Sequence, residues 1–158
     1  MEGKIMTDKE VFKRYGQPND WNNYVKFYPP FQMFLAWNKG QSINYFYCHE
    51  LIHSMLEKSF DEINHCFSYS GIKNLGLHLY GGCFNYRKMR GSSSRLSRHS
   101  WAIALDLHPE ANKLSWKADK ASFAHENFKE VIDIFYDAGF INYGIEKGYD
   151  WMHFEPSL

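Results

Sequence analysis

The chain has 158 residues, and its 18 Lys and Arg balance its 18 Asp and Glu, so the formal net charge is zero. This balance argues against a nucleic acid or a membrane surface as a partner bound through bulk charge. A hydrophobic fraction of 44% and an aromatic fraction of 18% exclude a disordered chain and predict a single packed domain over residues 1–158. No apolar run is long enough for a membrane span and no secretory signal is evident, so we expect a protein made in the cytoplasm.

The N-terminal part of the chain combines an irregular segment with one predicted helix. Residues 1–40 are rich in aromatic side chains, but three prolines interrupt any long helix, so we expect an irregular segment packed on the domain. Over residues 42–63 the apolar side chains recur at helical spacing, and Ser42 is a candidate N-cap. A turn-rich stretch with four glycines follows this helix.

The C-terminal part predicts short strands around a second helix. Residues 101–107 alternate as a strand, and on one of its faces the small side chains of Ala102 and Ala104 would leave room beside Asp106 for a metal and an extended substrate. The other predicted elements are a helix over 120–138 and strands over 140–144 and 150–154. Because helices and strands are segregated along the chain, we predict an α+β fold with a small antiparallel sheet and flanking helices.

Two short segments about fifty residues apart contain the residue types of a catalytic metal site. The first contains His99 and Asp106, and the second contains His153. Two histidines and one carboxylate with an open coordination position are typical of catalytic zinc. We therefore predict that these three side chains bind one Zn²⁺ ion.

The spacing within both segments requires bends in the backbone. His99 and Asp106 are an odd number of residues apart, so on one flat strand they would face opposite ways. The same holds for Asp150 and His153. We therefore expect His99 in a loop or bend before the strand, and a second bend or bulge near Trp151.

Two further side chains are candidates for the chemistry at this site. Asp150 could take a proton from a water molecule and pass it to the leaving amine. Arg87 could stabilise a developing oxyanion, because a guanidinium group offers paired donors. Simpler interpretations exist, since short patterns arise by chance and an arginine is most often exposed or in a salt bridge.

A rival zinc motif lies upstream. The segment His49-Glu50-Leu51-Ile52-His53 has the pattern H-E-x-x-H, and on a predicted helix both histidines would lie on the same side. However, no third ligand with a matching signature follows, and Glu57 could coordinate only with unusual geometry. We favour half-buried core histidines for this motif, although the sequence leaves a role open.

Three ordered segments resemble the zinc D-Ala-D-Ala carboxypeptidase and L-alanyl-D-glutamate endopeptidase family, which includes phage endolysins and bacterial wall peptidases. The family carries S-x-H-x-x-G-x-A-x-D, then an acidic residue-x-x-H, and its phage-like branch has an upstream Gly-Gly-Cys-Phe/Tyr-Asn-x-Arg segment. The matching residues are Ser97, His99, Ala104 and Asp106 for the first motif, Asp150 and His153 for the second, and Gly81 to Arg87 upstream. The resemblance covers roughly residues 74–155.

The resemblance implies a D-Ala-D-Ala peptidase or hedgehog-like fold and a specific role for each matching residue. The implied roles are zinc ligands for His99, Asp106 and His153, general base for Asp150, transition-state arginine for Arg87, and substrate positioning for Ser97. Ala102 stands where the family usually has glycine. Its extra methyl group could narrow the cleft and change the substrate preference.

The resemblance also implies a monomeric zinc peptidase that cuts peptidoglycan stem peptides. The upstream segment and short loops favour cleavage between L-Ala and D-Glu by a phage or prophage endolysin, which another protein would release through a membrane pore to reach the cell wall. A D-alanyl-D-alanine carboxypeptidase uses the same metal chemistry and is the alternative. An inactive structural or binding module is the alternative of another class, and the complete set of candidate residues argues against it.

Overall fold

Five α-helices are present in the computed structural model, which describes residues 2–158. They are α1 (Asp8–Tyr15), α2 (His53–Cys66), α3 (Tyr69–Asn74), α4 (Lys129–Asp137) and α5 (Tyr143–Lys147). A capping box begins α1, in which the Thr7 side chain accepts a hydrogen bond from the Glu10 N–H and the Glu10 carboxylate accepts one from the Thr7 N–H. Within residues 2–158, no helix combines the length and the hydrophobicity that a membrane crossing requires.

The strands form two sheets of unequal size. The smaller sheet pairs β1 (Tyr24–Phe27) with β4 (Phe46–His49). The larger sheet contains β2 (Met33–Leu35), β3 (Asn38–Ile43), β5 (Leu79–Gly82), β6 (Leu105–Leu107), β7 (Phe140–Asn142) and β8 (His153–Pro156). Its strand order is β3-β2-β5-β6-β8-β7, and all neighbours are antiparallel except β2 and β5. The α+β prediction is confirmed, and the sheet is mixed rather than purely antiparallel.

The core connects the two sheets through aromatic contacts. Phe60 on α2 lies 5.1 Å from Phe27 of the smaller sheet and 6.3 Å from Phe135 on α4, measured between ring centroids. Phe135 in turn stacks on Phe154 of β8 at 4.2 Å. Each of these fully buried rings contributes about 1.5–3 kcal/mol through burial. Because Phe154 is the neighbour of His153, this packing holds a candidate metal ligand in place.

The N-terminal part of the chain is more regular than its sequence suggests. Residues 1–40 were expected to be irregular, but they include α1, β1, β2 and the start of β3. The prolines do not disrupt these elements, because they lie between them and not within them. Val11 and Phe27 of this segment are part of the common core.

The helix predicted over residues 42–63 is wrong in its first half. Residues 46–49 form β4, and α2 begins only at His53. Ser42 lies in β3, so it is not a helix cap. Aromatic side chains over 45–47 suit a strand, and pairing with β1 outweighs the helical spacing of the apolar residues.

The predicted strand over residues 101–107 is shorter than expected. Within this stretch only residues 105–107 form a strand, which is β6. Residues 98–101 form a 3-10 turn instead, and the backbone of Ala102 is left-handed with a φ of 55°. Ala102 and Ala104 are fully buried, so the open face predicted beside Asp106 does not exist at these alanines. The left-handed backbone also explains why glycine suits position 102, since an L residue is strained there.

The remaining C-terminal elements are present with shifted bounds. Two 3-10 turns at 122–124 and 126–128 precede α4, which is therefore shorter than the helix predicted over 120–138. The strand predicted over 140–144 ends at Asn142, because the Asn142 side chain accepts a hydrogen bond from the Ile145 N–H and begins α5. The last predicted strand corresponds to β8.

Candidate active site

Three different segments bring the candidate ligands together. His99 lies in the 3-10 turn Arg98–Trp101, Asp106 on β6 and His153 on β8. Asp106 is paired directly with His153 in the antiparallel register, so both side chains lie on the same face of the sheet. The Ser97 hydroxyl accepts a hydrogen bond from the His99 N–H at 3.3 Å and begins the turn. The bend predicted before the strand is therefore present.

The nitrogen and oxygen atoms that could bind a metal converge, but they do not fully satisfy one another's capacity for hydrogen bonds. His99 Nε2 lies 3.1 Å from Asp106 Oδ2, and His153 Nδ1 lies 3.2 Å from Asp106 Oδ1. One potential ligand atom from each residue lies within 4.8 Å of the other two. His99 Nε2 and Asp106 Oδ1 are buried, yet neither makes a hydrogen bond of good geometry. Polar atoms that are buried and unpaired in this way indicate a place for a cation.

In both histidines, the ring nitrogen that does not face Asp106 is hydrogen-bonded, as is usual for histidines that bind a metal. His99 Nδ1 lies 2.9 Å from the Cys83 carbonyl oxygen, and His153 Nε2 lies 2.8 Å from Glu155 Oε1. Such outer partners fix the orientation of a ligating imidazole. Two imidazoles and a carboxylate suit zinc. Across residues 2–158, no other three His, Cys, Asp or Glu side chains converge in this way.

The charged groups of the cluster stabilise one another. Burial would raise the pKa of the Asp106 carboxyl, but its electrostatic interaction with His99 and its contacts with His153 hold it well below its usual range. Burial would lower the pKa of His153, but its contacts with Asp106 and Glu155 raise it to about 10. The site therefore favours a positive charge beside Asp106, which a metal ion can supply in place of a proton.

Asp150 occupies a turn directly before β8, at the edge of the cluster. Its backbone is left-handed with a φ of 61°, and its carbonyl oxygen accepts a hydrogen bond from the His153 N–H. The predicted bend near Trp151 is therefore present. The Asp150 side chain is 8% exposed, and its Oδ1 has no hydrogen-bond partner in the described chain. Burial raises the pKa of this carboxyl, which makes it a stronger proton acceptor than an ordinary aspartate.

Arg87 is tied to the turn that bears His99. The Ser97 N–H and the Ser100 hydroxyl both donate to the Arg87 carbonyl oxygen at 2.9 Å. The Arg87 N–H donates to Ser100 Oγ at 3.2 Å. Its guanidinium group donates to the Lys88 carbonyl oxygen and forms no ion pair with a carboxylate of residues 2–158. The backbone is thus fixed, while the charged group remains available in the cleft.

The cleft consists of two depressions that meet at two of the candidate ligands, His99 and Asp106. One depression is lined by residues that include Leu114, Tyr143, Lys147, Tyr149, Asp150 and Met152. The other is lined by residues that include Trp37, Tyr80, Phe84 and Asn85. Both depressions share Arg87, Arg90, His99 and Asp106. Ala102 lines neither, so its methyl group does not narrow the cleft, contrary to the expectation from the sequence.

Ser97 lies at the edge of the first depression, but its hydroxyl has a structural partner. The side chain is 6% exposed, and its oxygen caps the turn that carries His99. This hydrogen bond orients a candidate ligand. The substrate-positioning role implied for Ser97 stays a prediction.

The rival H-E-x-x-H motif is not a zinc site. His49 ends β4, residues 50–52 form a 3-10 turn and His53 begins α2, so the motif does not lie on one helix. Both ring nitrogens of His49 are used, Nε2 with the Tyr15 carbonyl oxygen at 3.0 Å and Nδ1 with the Leu51 N–H at 3.1 Å. His53 pairs with Glu57 at 3.0 Å. His49 is a hydrogen-bonded core histidine.

Sequence reasoning missed two buried charged residues beside the cluster. Glu155 is fully buried and contacts His153, and Arg98 is 4% exposed and faces Glu155. The spacing of His153 and Glu155 on a strand places both on one face, so this pair was detectable. Nothing local in the sequence indicates that Arg98 reaches the same place.

A comparison with known families agrees with this geometry. The family model described as D-alanyl-D-alanine carboxypeptidase matches residues 90–156, which include all three candidate ligands and Asp150. This match confirms the resemblance seen in the sequence. No curated protein and no solved structure matches the chain.

Proposed function

With residues 90–156 assigned to the D-alanyl-D-alanine carboxypeptidase family of zinc peptidases, we propose that this protein cuts peptidoglycan stem peptides between L-Ala and D-Glu. The observation that carries the proposal is the cleft, in which two depressions meet at His99 and Asp106 and leave room for peptide beyond a single terminus. An endopeptidase must bind peptide on both sides of the scissile bond. A site that bound only a free terminus would need a closed end.

We assign His99, Asp106 and His153 as the ligands of one zinc ion. When bound, such an ion polarises the scissile carbonyl and lowers the pKa of a coordinated water molecule. The chain itself supplies the orientation of the ligands, through the Cys83 carbonyl oxygen and the Glu155 carboxylate. His99 and His153 are buried and the Asp106 side chain is 15% exposed, so few water molecules can compete for these atoms.

Asp150 is the proposed general base. Its buried carboxylate lines the same cleft as the ligands, and its Oδ1 has no partner within residues 2–158 that would compete for a proton. It takes a proton from the attacking water molecule and delivers it to the amine that leaves. The raised pKa helps both transfers, because a base whose pKa lies nearer the working pH is more effective.

Arg87 is the proposed donor to the oxyanion that develops on the scissile carbonyl. Replacing it with lysine keeps the charge but removes the planar pair of donors. We expect Arg87→Lys to lower kcat by about 10²–10³-fold, the typical cost of losing one oxyanion donor. Steady-state kinetics on a soluble stem peptide would measure this, with Arg14→Lys as the control, since Arg14 is exposed on α1 and lines neither depression. An unchanged kcat with a raised KM would instead make Arg87 a ground-state binding residue.

The bond that is cut can be identified from the products. Purified cell walls treated with the zinc-loaded protein should give peptides with new N-terminal D-Glu, detected by end-group labelling and mass spectrometry. Release of free D-Ala without a new glutamate terminus would identify a carboxypeptidase. Bound zinc without any released peptide would identify an inactive module of the same fold.

The carboxypeptidase alternative has one observation in its favour. The matching family model is itself described as D-alanyl-D-alanine carboxypeptidase. Arg90 and Lys147 line the cleft without an ion pair in the described chain, so either could receive a terminal carboxylate. The same product assay decides between the two bonds.

We also propose that the protein is a phage or prophage endolysin that acts as a monomer. The Gly81 to Arg87 segment, which resembles the phage-like branch, supports this origin. A pore opened by another protein would then give the enzyme access to the cell wall. Lysis of cells only when a pore-forming protein is expressed together with this chain would test that route.

A further inference from the structure

We propose that a chain of charged residues, from the partly exposed Asp8 through the buried Arg98 and Glu155 to His153, positions His153 for metal binding. This chain would make the N-terminal helix α1 a structural part of the metal site. The inference rests on the zinc site proposed above, and it concerns residues that hold a ligand and do not touch substrate. Asp8 lies outside residues 90–156, the segment that matches the family.

Glu155 is the first link. Its carboxylate is fully buried, and Oε1 lies 2.8 Å from His153 Nε2. A carboxylate on this nitrogen fixes the ring so that Nδ1 points towards Asp106. The Tyr143 ring stacks on His153 with centroids 4.1 Å apart, which prevents the imidazole from tilting.

Arg98 is the second link, and it compensates the charge of Glu155. Its side chain is nearly buried, and Nε lies 3.6 Å from Glu155 Oε2. Neither of these two atoms makes a hydrogen bond in the part of the chain that the structure describes, so the ion pair is the contact they share. A buried carboxylate without a compensating cation is costly, so Arg98 allows Glu155 to remain charged beside His153.

The N-terminal segment holds Arg98 in this position. Arg98 donates to Asp8 Oδ1 and to the Met6 carbonyl oxygen, both at 2.7 Å. Arg95 adds two bonds to the same Asp8 carboxylate, at 2.9 and 3.0 Å. Asp8 also begins α1, directly after the Thr7 cap. The position of α1 is thereby transmitted to a metal ligand through three side chains.

Zinc affinity without substrate tests the inference. We expect Glu155→Gln to weaken zinc binding by about 10–100-fold, the usual effect of losing an outer partner of a ligand. Asp8→Asn should weaken binding by a smaller factor, because it acts through two intervening residues. Competition with a chromophoric chelator would measure both. Glu110→Gln is the matched control, since Glu110 pairs with Lys39 on the surface and its loss should leave the affinity unchanged.

A second measurement separates positioning from general stability. In the zinc-loaded wild-type protein, ¹⁵N NMR should show His153 bound through Nδ1 and protonated on Nε2. This measurement needs no variant, so it remains decisive if Glu155→Gln does not fold. Circular dichroism of the metal-free variants would show whether Asp8→Asn keeps the native fold.

Two results would overturn the inference. One is zinc bound as tightly by folded Glu155→Gln and Asp8→Asn as by the wild type, and the other is His153 bound through Nε2. A wild-type protein that binds zinc but releases no peptide would refute the proposed peptidase activity and leave the positioning role intact. A wild-type protein that binds no zinc would refute both.

Discussion

Replacing His153 with alanine is expected to reduce bound zinc from about one ion per chain to nearly none. His153 supplies one of only three converging protein ligands, and its loss also leaves Asp106 and Glu155 buried without their shared partner. His99→Ala and Asp106→Ala should have the same effect. Metal analysis of the purified, dialysed proteins would measure zinc content directly.

The rival histidines provide the control for this prediction. Both ring nitrogens of His49 are hydrogen-bonded in the core, and His53 pairs with Glu57. His53→Ala should therefore keep its zinc, and any loss caused by His49→Ala should be of stability alone. If a His49→Ala/His53→Ala variant lost the metal while His99→Ala kept it, the assigned site would be incorrect.

Replacing Asp150 with asparagine should separate catalysis from metal binding. Asparagine has the same size and tolerates the left-handed backbone at this position, but it cannot accept a proton. We expect turnover to fall by about 10²–10⁴-fold, the range typical of losing a general base. Zinc content should stay at the wild-type level, because Asp150 is not one of the converging ligands.

The measurement for Asp150 is the rate of peptide release at saturating substrate, with zinc content determined on the same sample. Asp119→Asn serves as the control, since Asp119 lies in an exposed turn and makes no ion pair within residues 2–158. Near-normal turnover of Asp150→Asn would remove this residue from the mechanism. A variant that lost both zinc and activity would make Asp150 part of the metal site instead.

The sequence determined which residues meet at the site, because their chemistry and their order along the chain are local properties. His99, Asp106 and His153 are recognisable as candidate ligands from residue type and spacing, and the odd separations require the bends that the structure contains. The general class of fold was also predictable, since the segregation of helices and strands is visible in the apolar pattern.

Only the tertiary structure decided the secondary structure around His49 and the backbone conformation of Ala102. The helical spacing around His49 competes with pairing between β1 and β4, and the strand prevails because its partner lies elsewhere in the chain. Ala102 fits the alternating pattern of a strand over residues 101–107. Its backbone is nevertheless left-handed, because the turn that carries His99 ends there. Neither result follows from the neighbouring residues.

The link from Asp8 to His153 depends still more on the tertiary structure. Asp8 and Arg98 are 90 residues apart, and no local pattern relates an N-terminal helix to a candidate metal ligand on β8. Burial of Arg98 and Glu155 decides this arrangement, because a charged side chain that is taken out of water must find a partner wherever the fold provides one. The chemistry of the site can thus be read from short motifs, whereas the residues that hold the site in place are chosen by packing across the whole chain.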